Sequence, residues 1–154
     1  MPSLPRLSAP LSDGRVTVRA SAERDIPEVL IAYQDDPGLH MALGERRPPS
    51  GAALGRRAEL AESERAAGRS AVLTIVEPDS DVCLGEVRIG GVDWPRSRAE
   101  LRVWVAPGRR GRGLGQRAHR LVAGWLEAYC GLETVCPDED ENPWRPGGSS
   151  SPPA

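Results

Sequence analysis

Lysine is missing from this sequence: all 20 basic residues are arginine. We read that mainly as a mark of base composition, although a guanidinium does suit bidentate contact with phosphate. The 22 acidic residues bring the formal net charge to -2. With no excess of either sign, nothing global draws the chain to nucleic acid or to an anionic membrane, and any basic site must be local. Cysteine and histidine are scarce. Cys83, Cys130 and Cys136 form an odd set without CxxC spacing, and His40 and His119 lie far apart. That pattern supports neither a zinc site nor a disulfide framework, so no metal is expected. No apolar run approaches the roughly 18 residues of a membrane span, and the amino terminus lacks a charged region followed by an apolar one. The expectation is a cytoplasmic protein.

What is present fits one domain. The chain has 154 residues, 39% hydrophobic and 27% charged, which is the balance of an ordinary globular protein with a core of its own. Residues 1–13 are rich in proline and serine and lack a period, and we read them as a loose leader, with order starting at Gly14. Arg15 to Arg19 alternates in the manner of a half-buried strand. Ser21 offers a helix cap, and Ile26, Val29, Leu30 and Tyr33 recur at helical spacing until Asp36-Pro37-Gly38. Pro48, Pro49 and Ser50 introduce a second helix, with Leu54 and several alanines on a thin apolar face. Residues 71–76 and 82–89 read as an antiparallel hairpin around Pro78-Asp79-Ser80-Asp81. A Gly90-Gly91 break and an Asp93-Trp94-Pro95 turn lead to a third strand over 99–105. From Leu114 onward, Ala118, Leu121, Val122, Trp125, Leu126 and Tyr129 mark a long helix with one apolar face. Residues 132–135 begin another strand, and 136–154, acidic and then rich in Pro, Gly and Ser, read as a disordered tail. The domain is therefore placed at residues 14–135.

The chemistry is concentrated where the 99–105 strand passes through Ala106-Pro107-Gly108-Arg109-Arg110-Gly111-Arg112-Gly113-Leu114-Gly115 into the long helix. Glycines let backbone amides approach an oxyanion, the helix amino terminus adds about half a positive charge, and Arg109, Arg110 and Arg112 add more. A phosphate or pyrophosphate fits. A plain strand-to-helix turn with solvated arginines would need fewer than three alternating glycines and would leave the cations repelling one another. A Walker A loop requires Lys and then Ser or Thr after Gly113, where Leu114 and Gly115 stand, which argues against an NTPase. Gly113-Leu114-Gly115-Gln116-Arg117-Ala118 does fit the dinucleotide pattern G-x-G-x-x-A, with Glu133 about twenty residues on. The antiparallel hairpins before it and the tail after it argue against that alternative.

Arg110-Gly111-Arg112-Gly113-Leu114-Gly115 resembles the coenzyme A loop, Q/R-x-x-G-x-G/A, of the Gcn5-related N-acetyltransferase (GNAT) superfamily. Ala99-Glu-Leu-Arg-Val-Trp-Val-Ala-Pro107 is similar to that family's fourth strand, particularly in the branch that acetylates ribosomal-protein amino termini, and Leu11 to Arg19 resembles the start of that branch. The resemblance covers residues 11–135. It implies an α/β (α+β) fold with a mixed, mostly antiparallel central sheet flanked by helices. It also implies an acetyltransferase taking its acetyl group from acetyl-CoA and passing it to a primary amine by direct attack. Loop residues Arg110, Gly111, Arg112, Gly113, Leu114, Gly115 and Gln116 would bind the pyrophosphate, and Val103, Trp104 and Val105 would lie along the pantetheine arm. Glu100 is the candidate for deprotonating the amine, with Glu133 a second choice. The family's helix after the fifth strand, its tyrosine acid and its last strand pair have no counterpart, so the fold is expected to be C-terminally incomplete, with an exposed edge favouring a homodimer. On that ground a weakened acyl-CoA-binding module is the alternative function. Tyr33 and Tyr129 read as buried structural residues, and His40 and His119 as surface or satisfied ones. In such a fold the residues that select the acceptor usually lie on the first helices, their loop and the terminal hairpin that has no counterpart here, so peptide amino terminus, amino acid and small-molecule amine stay open, and Glu45, Arg46 and Arg47 near that loop read equally as solvated surface.

Overall fold

The computed structural model describes residues 2–135. Runs of alternating β-branched residues form one sheet of β1 (Leu11–Ser12), β2 (Thr17–Ala20), β3 (Ala71–Val76), β4 (Cys83–Asp93), β5 (Arg98–Val105) and β6 (Glu133–Val135), lying side by side in chain order. Neighbours are antiparallel except β5 and β6, which are parallel. A parallel pair needs a long crossover, and α4 (Leu114–Cys130) supplies it. The remaining helices are α1 (Ile26–Asp35), α2 (Leu39–Ala42) and α3 (Gly51–Ala66).

The sheet buries both faces. On one, Ala118, Val122, Trp125 and Leu126 of α4 pack with Ala99, Leu101, Val103 and Val105 of β5. On the other, Val29 and Tyr33 of α1, Leu39 of α2 and Leu54 of α3 pack around Trp104. Strand alternation therefore turns Glu100, Arg102 and Trp104 towards α1–α3. Leu54 is the one buried residue of α3, in keeping with its thin apolar face.

Four expectations change. The leader is not loose over its described length: Leu4 is fully buried, its N–H donates to the Arg65 carbonyl at 2.9 Å, and Arg65 Nη1 donates back to the Leu4 carbonyl at 2.5 Å. A single anchoring leucine has no period for a sequence pattern to detect. Gly90-Gly91 does not end a strand; β4 continues to Asp93 through an irregularity, with Gly91 at φ +52°. Tyr129 is 74% exposed. Left-handed Gly131 closes α4, the Leu132 N–H donates to the Leu126 carbonyl at 3.3 Å, and fully buried Leu132 folds back into the core. The histidines are not satisfied, because His40 Nδ1 and His119 Nε2 are buried without a hydrogen bond. Cys136 and the tail at 136–154 lie outside the described residues.

Candidate functional site

The site begins with the direction of backbone groups along β5. The Ala106 N–H donates to the Leu84 carbonyl of β4 at 2.8 Å, so even-numbered residues of β5 turn their amides and carbonyls to β4 and odd-numbered ones turn away. At the start of the strand, away means β6, where the Glu133 N–H donates to the Ser97 carbonyl at 2.8 Å. That pairing covers Arg98, Ala99 and Glu100. Beyond it, among the described residues, Leu101, Val103 and Val105 present an edge with no neighbouring strand. The Val105 carbonyl accepts from Arg110 Nε at 2.9 Å.

This edge runs directly into the glycine-rich loop. After a short turn at Pro107–Arg109, Gly111 (φ +85°) and Gly113 (φ +72°) take left-handed conformations. Gly113 is the N-cap of α4, so no side chain caps the helix, and its first turn holds no acid. Arg117 is the first residue whose N–H reaches a helical carbonyl, that of Gly113 at 3.1 Å. The amides of Gly113, Leu114, Gly115 and Gln116 therefore have no partner within the helix, and the positive end of its dipole lies with them. A Cβ on Gly111 or Gly113 would meet nothing within 4 Å. Gly115 works differently: a Cβ there would lie 3.4 Å from Val105 Cγ2 and 3.5 Å from Val103 Cγ1, already in contact, so any longer side chain would press α4 off β5.

The arginines also separate by role. Arg109 pairs with Glu77 at 2.7 Å, and Arg110 pairs with Asp36 at 2.7 Å while holding the Val105 carbonyl. Arg112 is exposed, with no ion pair among the described residues. Trp104 departs from the sequence expectation. Its side chain is buried against Tyr33, at 6.2 Å between ring centroids, its Nε1–H donates to Glu86 at 3.0 Å, and its backbone faces β4 rather than the open edge.

Glu100 is half-buried in the last β5 residue paired with β6, and its carboxyl occupies the space a Cβ on Gly91 would need. Glu133 is exposed at the first residue of β6, opposite Arg98. That is the end of the parallel pair remote from the glycine loop, where an acid cannot reach a ribose held at the loop. The dinucleotide alternative loses its acidic residue accordingly.

A charged cluster under α1 and α3 escaped the sequence reading. Glu86 is fully buried and accepts from Arg57 Nη2 at 2.5 Å as well as from Trp104. Arg88 donates to the Tyr33 hydroxyl at 2.8 Å, and that hydroxyl donates to Glu45 at 2.5 Å. Burial pushes the Tyr33 phenol well above its ordinary range. The usable signal was a glutamate inside an otherwise apolar strand, where an ion needs partners. Among the described residues no group of three or more His, Cys, Asp or Glu side chains could hold a metal.

Residues 15–142 match the family model described as the acetyltransferase (GNAT) domain. No curated protein matches the sequence. The fold is similar to that of the acetyltransferase from Salmonella typhimurium that modifies the N-terminal serine of ribosomal protein L7/L12, at 10% identity and TM-score 0.65, covering 77% of this chain and 67% of that one. It is also similar to spermidine N-acetyltransferase from Vibrio cholerae, in complex with CoA and spermine, at 15% identity and TM-score 0.65, covering 78% and 68%. Ribosomal-protein-S5-alanine acetyltransferase from Vibrio fischeri gives 13% identity and TM-score 0.65 over 79% and 68%. At such identities the likeness is one of fold. With a family model spanning most of its length and a sheet and loop of the matching form, the chain belongs to the GNAT acetyltransferase domain family.

Proposed function

We propose that this chain transfers the acetyl group of acetyl-CoA to a primary amine by direct attack. The carrying observation is continuity: an edge at Leu101, Val103 and Val105 that is open among the described residues leads without interruption to an uncapped helix amino terminus. An extended arm containing amides suits the edge as an added strand would, and a pyrophosphate suits the amides of Gly113 to Gln116. Arg112 adds charge there, Gly111 and Gly113 hold the loop's shape, and Arg110 braces it against Asp36 and Val105.

The reacting carbonyl would then come near Leu101, where β6 rejoins the sheet. In the reaction the amine nitrogen bonds to the acetyl carbon and the carbon–sulfur bond breaks. The amine loses a proton and the departing thiolate gains one. Glu100 is within one residue of that point, has no ion pair among the described residues, and is the carboxylate we assign to the amine's proton. A backbone amide of the open edge serves the developing oxyanion. The structural neighbours that modify ribosomal-protein termini or spermidine support an amine acceptor, and a coenzyme A donor goes with a cytoplasmic site of action.

Calorimetric titration with acetyl-CoA tests the reading. Wild type is expected to bind, and Arg112→Glu to weaken binding by about tenfold or more, the scale of one charge-assisted hydrogen bond. A folded wild type that leaves acetyl-CoA unbound sinks the proposal.

A further inference from the structure

Arg57 of α3 and Arg88 and Arg102 of the sheet lie between the sheet and α1–α3, and the first two are matched by acids. Arg57 pairs with Glu86 at 2.5 Å, and Arg88 lies between Glu86 at 3.5 Å and Glu45 at 3.6 Å. Arg102 is half-buried and has no ion pair among the described residues. It stands directly across from Arg88 in the β4–β5 register, a placement in which like charges destabilise a sheet unless an anion lies with them. Arg88 Nε is itself buried without a hydrogen bond, with Glu86 beside it at 3.5 Å as an ion pair.

The Arg102 guanidinium faces the connection that follows α2: a Cβ on Gly44 would lie 3.4 to 3.6 Å from Nη1, Nη2 and Cζ, in ordinary van der Waals contact. Gly44 has φ +75° and no side chain to push it aside. Two residues earlier on the same face, about 6.6 Å along the strand, Glu100 is likewise without an ion pair among the described residues. Among the described residues, a carboxylate and a guanidinium without ion pairs thus stand two residues apart on one face of β5.

We infer that the acceptor is a small amino-carboxylate of the amino acid class, its ammonium steered by Glu100 and its carboxylate held by Arg102. This rests on the acetyltransferase reading above and deepens it. A guanidinium grips a carboxylate through two parallel hydrogen bonds, and a carbon or two then places the amine beside Glu100. An amine lacking an anion, a polyamine above all, would leave Arg102 unmatched and meet its repulsion.

The test is steady-state acetylation of the common amino acids, each compared with its own carboxamide, alongside spermidine and a short peptide amide. Carboxamides release their amine proton more easily, so chemical reactivity alone favours them, and a preference for the free acid reports binding. Wild type is expected to prefer the acid of its best pair by about tenfold or more in kcat/KM, the scale of one charge-assisted contact. Arg102→Met is expected to bring that ratio close to one through KM for the acid, and Arg102→Lys to keep part of it. Arg120→Ala, a charge loss on the exposed side of α4, is the control and keeps the ratio. Equal or better use of the carboxamides, spermidine or the peptide overturns the inference. So does an Arg102→Met enzyme with an unchanged ratio, or acetyl-CoA binding without turnover of any amino acid. Failure to bind acetyl-CoA removes the underlying reading as well, so calorimetry separates the two failures.

Discussion

His119 lies half-buried on α4 with its Nε2 out of reach of water and unbonded. Burial disfavours the charged imidazole and lowers its pKa from the ordinary 6.5. The unfolded chain therefore takes up the proton first, and stability is expected to fall as pH drops through about 6.5, levelling off only below the folded-state value. Melting temperatures at pH 7.5 and 5.5 check this: wild type should lose stability, and His119→Met should lose less. Equal losses would refute it. Asp13 works in a different window. The amides of Val16 and Arg15, with Arg117, bring its pKa down from 3.8 to about 2, so its contribution is present above the first value and is lost on acidification towards the second. At this scale the sequence showed which residues carry charge but not their partners. Arg109, Arg110 and Arg112 looked equivalent in a basic run, yet two are tied to Glu77 and Asp36, acids that come from other elements.

The strand, loop and helix from Ala99 to Cys130 were legible because their determinants are local: alternation in β5, glycines at the turn, and a period of 3.6 in α4. The three loop glycines nevertheless serve two purposes. Gly115→Leu is expected to cost about 1–3 kcal/mol by overpacking α4 against Val103 and Val105, measurable by urea unfolding. Gly111→Ala meets open space and carries only the backbone penalty of a left-handed residue, about 1–2 kcal/mol, while weakening acetyl-CoA binding in calorimetry. Were the two variants alike in both assays, the division between packing and conformation would be wrong. Trp104 shows where element-level reading stops. Alternation predicts which side of the strand it occupies, but whether its backbone meets β4 or an open edge depends on a hydrogen bond from Ala106 to Leu84, far apart in sequence.

For the molecule as a whole, the amino-terminal residues act as a strap. Ser3 donates to the Ala66 carbonyl at 2.6 Å, Leu4 exchanges hydrogen bonds with Arg65, Arg6 pairs with Glu62, and the Leu4 side chain joins the core on the α4 face. Leu4→Ala is expected to destabilise the fold by about 2–5 kcal/mol, read as a lower urea midpoint with an unchanged m-value. A neutral result would mean that the strap is not part of the cooperative unit.

The sequence by itself determined the order and type of most elements and the glycine-rich turn from β5 into α4, because periodicity, turn residues and helix ends act over a few neighbouring positions. Only the tertiary structure decided what lies between elements: the buried Glu86 cluster, the strap on α3 and, among the described residues, the open edge of β5 and an Arg102 without an acid partner. Each depends on residues brought together from distant parts of the chain, and the low dielectric of a packed interior is what makes pairing or its absence matter there.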